Sequence, residues 1–233
     1  MASYRDAVVA TLPLFPLGTV LMPGASLPLH VFEPRYRQLV VDLVTGEVPD
    51  KEFGVVAVRE GWAPDDDGIA GLHVVGCTAE LLDVRRLPDG RFDVVTRGAR
   101  RFRLLEIDAE AKPYLVGVVE YLPDEHVLAA AEADARMLAA AARDAHRRYC
   151  ATAWQNGDWS EPAAEVGPDT LAHVLAADCL LPMGDRQRLL EQTCPVTRLR
   201  MVRTLLARER GLLSRLRAVP APVTTFAVEH NPN

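Results

Sequence analysis

Lysine is nearly absent from this chain of 233 residues: Lys51 and Lys112 are the only two, so almost all of its basic side chains are arginine. Acidic residues outnumber basic ones, 32 to 26, and the formal net charge of −6 argues against a general affinity for nucleic acid. Long apolar runs are missing as well. None approaches the roughly 20 residues that a membrane-spanning helix needs. The N-terminus, Met1 to Asp6, leads into an apolar stretch broken by Pro13 and Pro16, without the basic start, unbroken apolar segment and small-residue cleavage site of a secretory signal. The expected location is the cytoplasm, with no membrane association.

The four cysteines, Cys77, Cys150, Cys179 and Cys194, are far apart and form no C-x-x-C pair. In a reducing compartment they read as small core residues. His146 and Cys150 lie four apart on a predicted helix and could begin a metal site, but no second pair has suitable spacing. No metal and no cofactor are expected. The sequence holds neither G-x-x-x-x-G-K-[ST] nor G-x-G-x-x-G, the glycine-rich loops whose backbone N–H groups approach phosphate. Its serines, Ser3, Ser26, Ser160 and Ser214, do not sit in G-x-S-x-G, and H-E-x-x-H does not occur. Neither lysine has an obvious serine partner for a dyad. Asp65-Asp66-Asp67-Gly68 lacks the spaced carboxylates and terminal Glu of a calcium loop and reads as a solvated turn. No catalytic residue emerges.

What is present is ordinary globular material, 49% hydrophobic and 25% charged. From about 8 to 122 the signals are those of strands: Val8 to Phe15, Leu27 to Phe32, Phe53 to Arg59, Leu72 to Arg86, Arg91 to Ile107 and Pro113 to Leu122. Leu87-Pro88-Asp89-Gly90 predicts a hairpin, since glycine accepts the positive φ of such a turn. One helix interrupts the series. Pro34 opens it, Tyr36, Leu39, Val40 and Leu43 recur at helical spacing, and Gly46 ends it.

After Pro123 the chain turns helical. The pattern predicts an alanine-rich helix from Glu125 to Tyr149, shorter ones at Asp169–Leu180 and Asp185–Gln192 capped by their aspartates, and a last one from Pro195 to about Leu216. The expected fold is therefore α+β, with a β-rich domain at 8–122, a helical domain at 123–217 and an irregular proline-containing tail at 218–233. Strands joined by short turns suggest a small barrel or sandwich, because closure removes exposed edges.

Two surface features invite a function. Arg85 and Arg86, across the hairpin from Arg101 and Arg103, would make a basic face for RNA if they converged. Strand alternation instead turns Phe102 and Leu104 inward and Arg101 and Arg103 to water. Trp154 and Trp159 flank a loop and are candidate anchors for a protein partner, or rings tucked against their own domain.

The most informative stretch is Leu12-Pro13-Leu14-Phe15-Pro16-Leu17-Gly18-Thr19-Val20-Leu21-Met22-Pro23-Gly24, followed by Leu27-Pro28-Leu29-His30-Val31-Phe32-Glu33-Pro34-Arg35-Tyr36-Arg37. It closely resembles the N-terminal domain of Lon proteases, and in particular the stand-alone bacterial Lon substrate-binding domain proteins. Phe53-Gly54-Val55-Val56, Gly76 to Glu80, Asp89 to Phe92, Gly98 to Arg103 and Leu180 to Gln187 follow in the same order, so the resemblance covers about residues 10–216. It implies a pseudo-barrel related to PUA domains followed by a helical bundle. It also implies a part in recognising unfolded or damaged polypeptides, with no catalytic residues in the region. The ATPase and Ser-Lys protease domains that follow in full-length Lon have no counterpart before Asn233.

On this reading Leu17, Val20, Leu21 and Met22, with Tyr36 and Trp62 beside them, form the candidate polypeptide-binding surface, unless their loop merely plugs the end of the β-domain. Glu33, Arg35 and Tyr36 also read as organisers of the helix start. The leading expectation is a non-catalytic module that binds polypeptides or a protein partner, as an adaptor in protein quality control. An RNA-binding module and a structural protein that forms homodimers are the alternatives.

Overall fold

The computed structural model describes residues 9–59, 69–154 and 159–216. Six strands and five helices follow in the order β1 (Val9–Leu17), β2 (Ser26–Val31), α1 (Pro34–Thr45), β3 (Glu52–Ala57), β4 (Val75–Arg86), β5 (Phe92–Asp108), β6 (Val116–Tyr121), α2 (Glu132–Ala153), α3 (Pro168–Ala177), α4 (Met183–Glu191) and α5 (Pro195–Leu216). The class is α+β, as the patterning indicates.

The strands form one sheet in the order β2-β5-β4-β3-β1-β6, and β6 also pairs with β5. The pairing β5–β4–β3–β1–β6 thus returns to its starting strand. Strand β5 makes this possible because its 17 residues serve three neighbours: β2 along Phe92 to Arg97, β4 along Phe92 to Arg103, and β6 along Phe102 to Asp108. Register shifts at Cys77/Ala79, Leu81/Asp83 and Leu104/Glu106 supply the local bends that such curling needs. The Pro88-Asp89-Gly90 turn forms as expected, with φ of 81° at Gly90 and Leu87 N–H donating to Arg91 O at 2.8 Å. Inside the ring lies a small core of Leu12, Leu14, Val56, Leu72, Phe102, Leu104 and Val119.

A larger apolar cluster joins the sheet to the helices. It takes Phe15, Val55, Cys77 and Val94 from strands, Leu39 and Leu43 from α1, and Ala142, Tyr149, Leu171, Leu175, Leu189, Val202 and Leu206 from α2 to α5. Three departures from the sequence reading have physical causes. Helix α2 begins at Glu132 rather than Glu125. The residues before it are occupied elsewhere, Glu125 N–H donating to Thr193 O at 3.0 Å and Thr193 Oγ1 to Glu125 Oε1 at 2.6 Å. Asp169 and Asp185 do not cap their helices, which start one and two residues earlier, at Pro168 and Met183. Asp185 instead accepts hydrogen bonds from Arg188 and Arg208.

The third departure is Arg101, expected in water and found 5% exposed. Alternation assigns faces, but here the outer face of β5 is roofed by helices. Arg101 Nη1 donates to Leu190 O and Gln192 O, both at 2.9 Å, and Nη2 to Asp124 Oδ1 at 2.5 Å. From α5 the fully buried Arg198 donates to Asp124 Oδ1 at 2.8 Å and Oδ2 at 2.7 Å, and to Asp169 O. Burial pulls the Arg101 pKa down from its ordinary value, Asp124 opposes that pull, and Arg198 adds to it.

Two outcomes are expected in urea unfolding. Asp124→Asn leaves two buried guanidiniums without their carboxylate and destabilises by about 3 kcal/mol or more. Gly98→Ala places a Cβ onto the Met22 carbonyl oxygen, a backbone atom that cannot swing away, and costs about 2 kcal/mol. A midpoint unchanged from the parent would contradict the packing described for either position.

Candidate functional site

An apolar groove of about 290 Å³ lies where β1 ends, β2 ends and α1 begins. Phe15, Pro16 and Leu17 come from β1, Leu29, His30 and Val31 from β2, Phe32 and Glu33 from the link to α1, and Arg35 and Tyr36 from the first turn of α1, with Val58 and Leu115 completing the lining. Its geometry follows from local sequence. Alternation along β2 turns Leu27, Leu29 and Val31 inward, so Phe32, the next residue, falls out of phase and is left 61% exposed at the rim. Pro34 then starts α1 and brings Tyr36 down onto Phe15, their rings stacked with centroids 4.0 Å apart. Burial raises the Tyr36 pKa, so its hydroxyl stays neutral.

The charges around the groove are paired. Arg35 Nη2 is 3.0 Å from Glu33 Oε2, and its guanidinium lies over the Tyr36 ring. His30 Nδ1 is 2.7 Å from Asp93 Oδ1, and Arg91 donates to His30 Nε2 at 3.0 Å. Strand β2 has β5 as its one partner among the described strands, so its outer edge is unpaired among the described residues. Pro28 sits on that edge strand, where a missing N–H is tolerated and limits indiscriminate pairing.

The sequence candidates are only partly brought together here. Leu17, half-buried, and Tyr36 line the groove. Val20, Leu21 and Met22 do not form an exposed patch: they are 2%, 4% and 0% exposed. Their loop is pinned to β5, with Gly24 N–H donating to Gly98 O at 2.7 Å and Gly98 N–H to Ala25 O at 2.8 Å, and Arg186 of α4 donates to Val20 O. The loop fills space between sheet and helices, which takes these side chains away from any client. Trp62 lies outside the described residues.

The four arginines do not share a face. Arg85 pairs with Asp93 at 2.5 Å, Arg86 and Arg103 are exposed, and Arg101 is buried. Arg85 is opposite Asp93 and Arg101 opposite Cys77; the eight intervening steps along β5 amount to roughly 26 Å. Trp154 and Trp159 are half-buried and pack on the main apolar cluster, with the Trp159 ring edge-on to His146 at 6.1 Å.

A second cavity, of about 700 Å³, opens between β5, β6 and α3. Both arginines in its wall are engaged: Arg100 holds Glu52 at 2.7 Å and lies 4.0 Å over the Tyr121 ring, and Arg101 holds Asp124. His173 is buried there, and its pKa is pushed well down by burial, then by Arg198 and Arg101, so the ring is neutral. Sequence reasoning missed Phe32 as a surface residue. The signal was the run Leu27, Leu29, Val31, whose phase leaves position 32 pointing out.

The substrate-binding domain model of ATP-dependent protease La (LON) matches residues 11–208. Curated relatives include the Lon protease of Anaeromyxobacter dehalogenans, 29% identical over 212 residues, and Lon protease 2 of Myxococcus xanthus, 28% identical over 215. Both alignments take in 90% of this chain but only 24% and 25% of the relatives, so the chain spans about a quarter of their length. Among solved structures, a Lon N-terminal domain protein from Xanthomonas campestris superposes with a TM-score of 0.56 at 25% identity, covering 91% of this chain and 99% of that one. The N-terminal domain of a Mycobacterium avium complex Lon protease superposes with a TM-score of 0.62 at 18% identity, covering 85% and 98%. No described helix is long and apolar enough to cross a membrane. With most of its length matched by one family model, the chain belongs to the substrate-binding domain family of ATP-dependent protease La (LON).

Proposed function

We propose that the chain is a non-catalytic module that captures exposed apolar segments of unfolded or damaged polypeptides in the groove beside Phe32, and serves as an adaptor for protein quality control in the cytoplasm. The observation that carries this reading is Phe32 itself, a large aromatic side chain held 61% exposed next to a largely apolar groove, at a strand edge that no other described strand pairs. Such a combination offers what an extended chain needs: apolar seats for side chains and backbone groups for main-chain hydrogen bonds. Family membership supports it, because the matched region is the substrate-binding one.

Within this reading the β-rich part, 8–122, is the binding domain and takes the form of a PUA-like pseudo-barrel, which the circular strand pairing supports. The helical part, 123–217, is a bundle that braces it. The paired charges at the rim make recognition apolar in character. Binding to RNA is disfavoured by the dispersal of Arg85, Arg86, Arg101 and Arg103.

The test is fluorescence anisotropy of a labelled, permanently unfolded polypeptide titrated with the protein at low and high salt. Saturable binding that persists at high salt is expected, whereas a phosphate-driven interaction would fall steeply. Phe32→Ser and Leu29→Ser should weaken it about tenfold or more, equivalent to about 1.4 kcal/mol. The exposed Phe32→Ser change should leave the unfolding midpoint nearly unchanged. Leu21→Asp and Met22→Asp place a charge in the core and should instead unfold the protein, lowering its thermal midpoint sharply. No saturation up to about 100 μM protein, or equal affinity of the Phe32→Ser variant, would refute the assignment.

A further inference from the structure

The expectation that the cysteines are core residues holds for Cys77, Cys150 and Cys179, which are buried, whereas Cys194 is half-buried. On α2, His146 and Cys150 stand four residues apart, hence on one face, and both are buried. Cys179, just past the end of α3, is folded onto the same face. Its approach is set by the backbone: Leu180 N–H donates to the Tyr149 hydroxyl at 3.1 Å, and Leu181 N–H to Cys179 O at 2.9 Å. The result is a closed group of three donors, His146, Cys150 and Cys179, whose ligand atoms all lie within 4.8 Å of one another. Cys150 Sγ is 3.4 Å from His146 Nε2.

We propose that His146, Cys150 and Cys179 form a zinc-binding site that ties α2 to the turn after α3. In a tetrahedral zinc site the bond lengths to sulfur and nitrogen place neighbouring donor atoms about 3.5–3.8 Å apart, which the closed group needs only a slight contraction to meet. Two thiolates and one neutral imidazole suit zinc among the available divalent ions, and the two negative charges cancel that of the metal, so the bound site is neutral where burial demands it. Loading releases the two thiol protons to solvent as the two Zn–S bonds form. Three protein donors leave the fourth corner for a water molecule.

The surroundings favour this chemistry. His146 stands beside Cys150 on α2, and Cys179 closes the group from the turn after α3. Trp159, edge-on to His146, covers the imidazole side.

The experiment is metal analysis of the full chain purified without chelator from zinc-supplemented culture. It is combined with cobalt(II) titration of the chelator-stripped protein. About one zinc per chain is expected, with a thiolate-to-cobalt charge-transfer band in the near ultraviolet. Both signals should vanish in Cys150→Ser and Cys179→Ser and persist in Cys194→Ser. Should the first two variants fail to fold, alkylation of the parent chain decides: zinc should slow modification of Cys150 and Cys179 but not of Cys194. Substoichiometric zinc without a cobalt band, alkylation indifferent to zinc, or a Cys150–Cys179 disulfide in the freshly purified chain would each overturn the proposal.

Discussion

The carboxylate of Asp124 is the point on which the architecture turns. It sits between the guanidiniums of Arg101, from β5, and Arg198, from α5, and so joins the sheet to the last helix through the segment that follows β6. Two positive charges against one negative would be ruinous in a dry interior. The excess is met by the carbonyl oxygens of Leu190 and Gln192, at the C-terminal end of α4 where the helix dipole is negative, and by that of Asp169. Buried ion networks of this sort add little net stability over apolar packing, but they penalise any arrangement that separates their members. Their contribution here is to fix how the two parts of the chain meet.

The groove shares no residue with this network, and its own geometry rests on stacking rather than charge. Phe15 and Tyr36 are held against each other at the floor, while Phe32 is held out by strand phase. A preformed floor matters when the partner is an unfolded chain. The partner pays an ordering cost on binding, and a receptor that is already in shape adds none of its own. The rim charges are paired with one another, so under the proposed reading they would not impose a sequence on a bound chain. Selectivity would come from apolar content and from the ability to extend along β2.

Much of the fold was legible because most of its signals are local. Each strand and helix appeared near its expected place, and the Asp89-Gly90 hairpin and the α1 start at Pro34 were set by backbone chemistry that neighbours cannot change. What escaped was tertiary. Arg101 obeys alternation as faithfully as Arg103, but alternation does not say which outer face another element will cover. The loop of Val20, Leu21 and Met22 shows the same gap in reverse, an apolar run whose cover comes from helices more than a hundred residues away. Within the groove, Leu17 and Tyr36 were visible in the motif, whereas the exposure of Phe32 required knowing where β2 ends. Cys179 joins His146 and Cys150 only through the fold of the turn after α3.

Order of synthesis gives the buried loop another meaning. A chain made from its N-terminus completes all six strands before any of α2 to α5 exists. Arg198 follows Asp124 by 74 residues, an interval of roughly 4–15 s at ordinary elongation rates. Until α4 and α5 emerge, several of the groups that bury Arg101, Val20, Leu21 and Met22 in the finished fold have not been made. The cover of this apolar run is thus among the last parts of the described chain to be made.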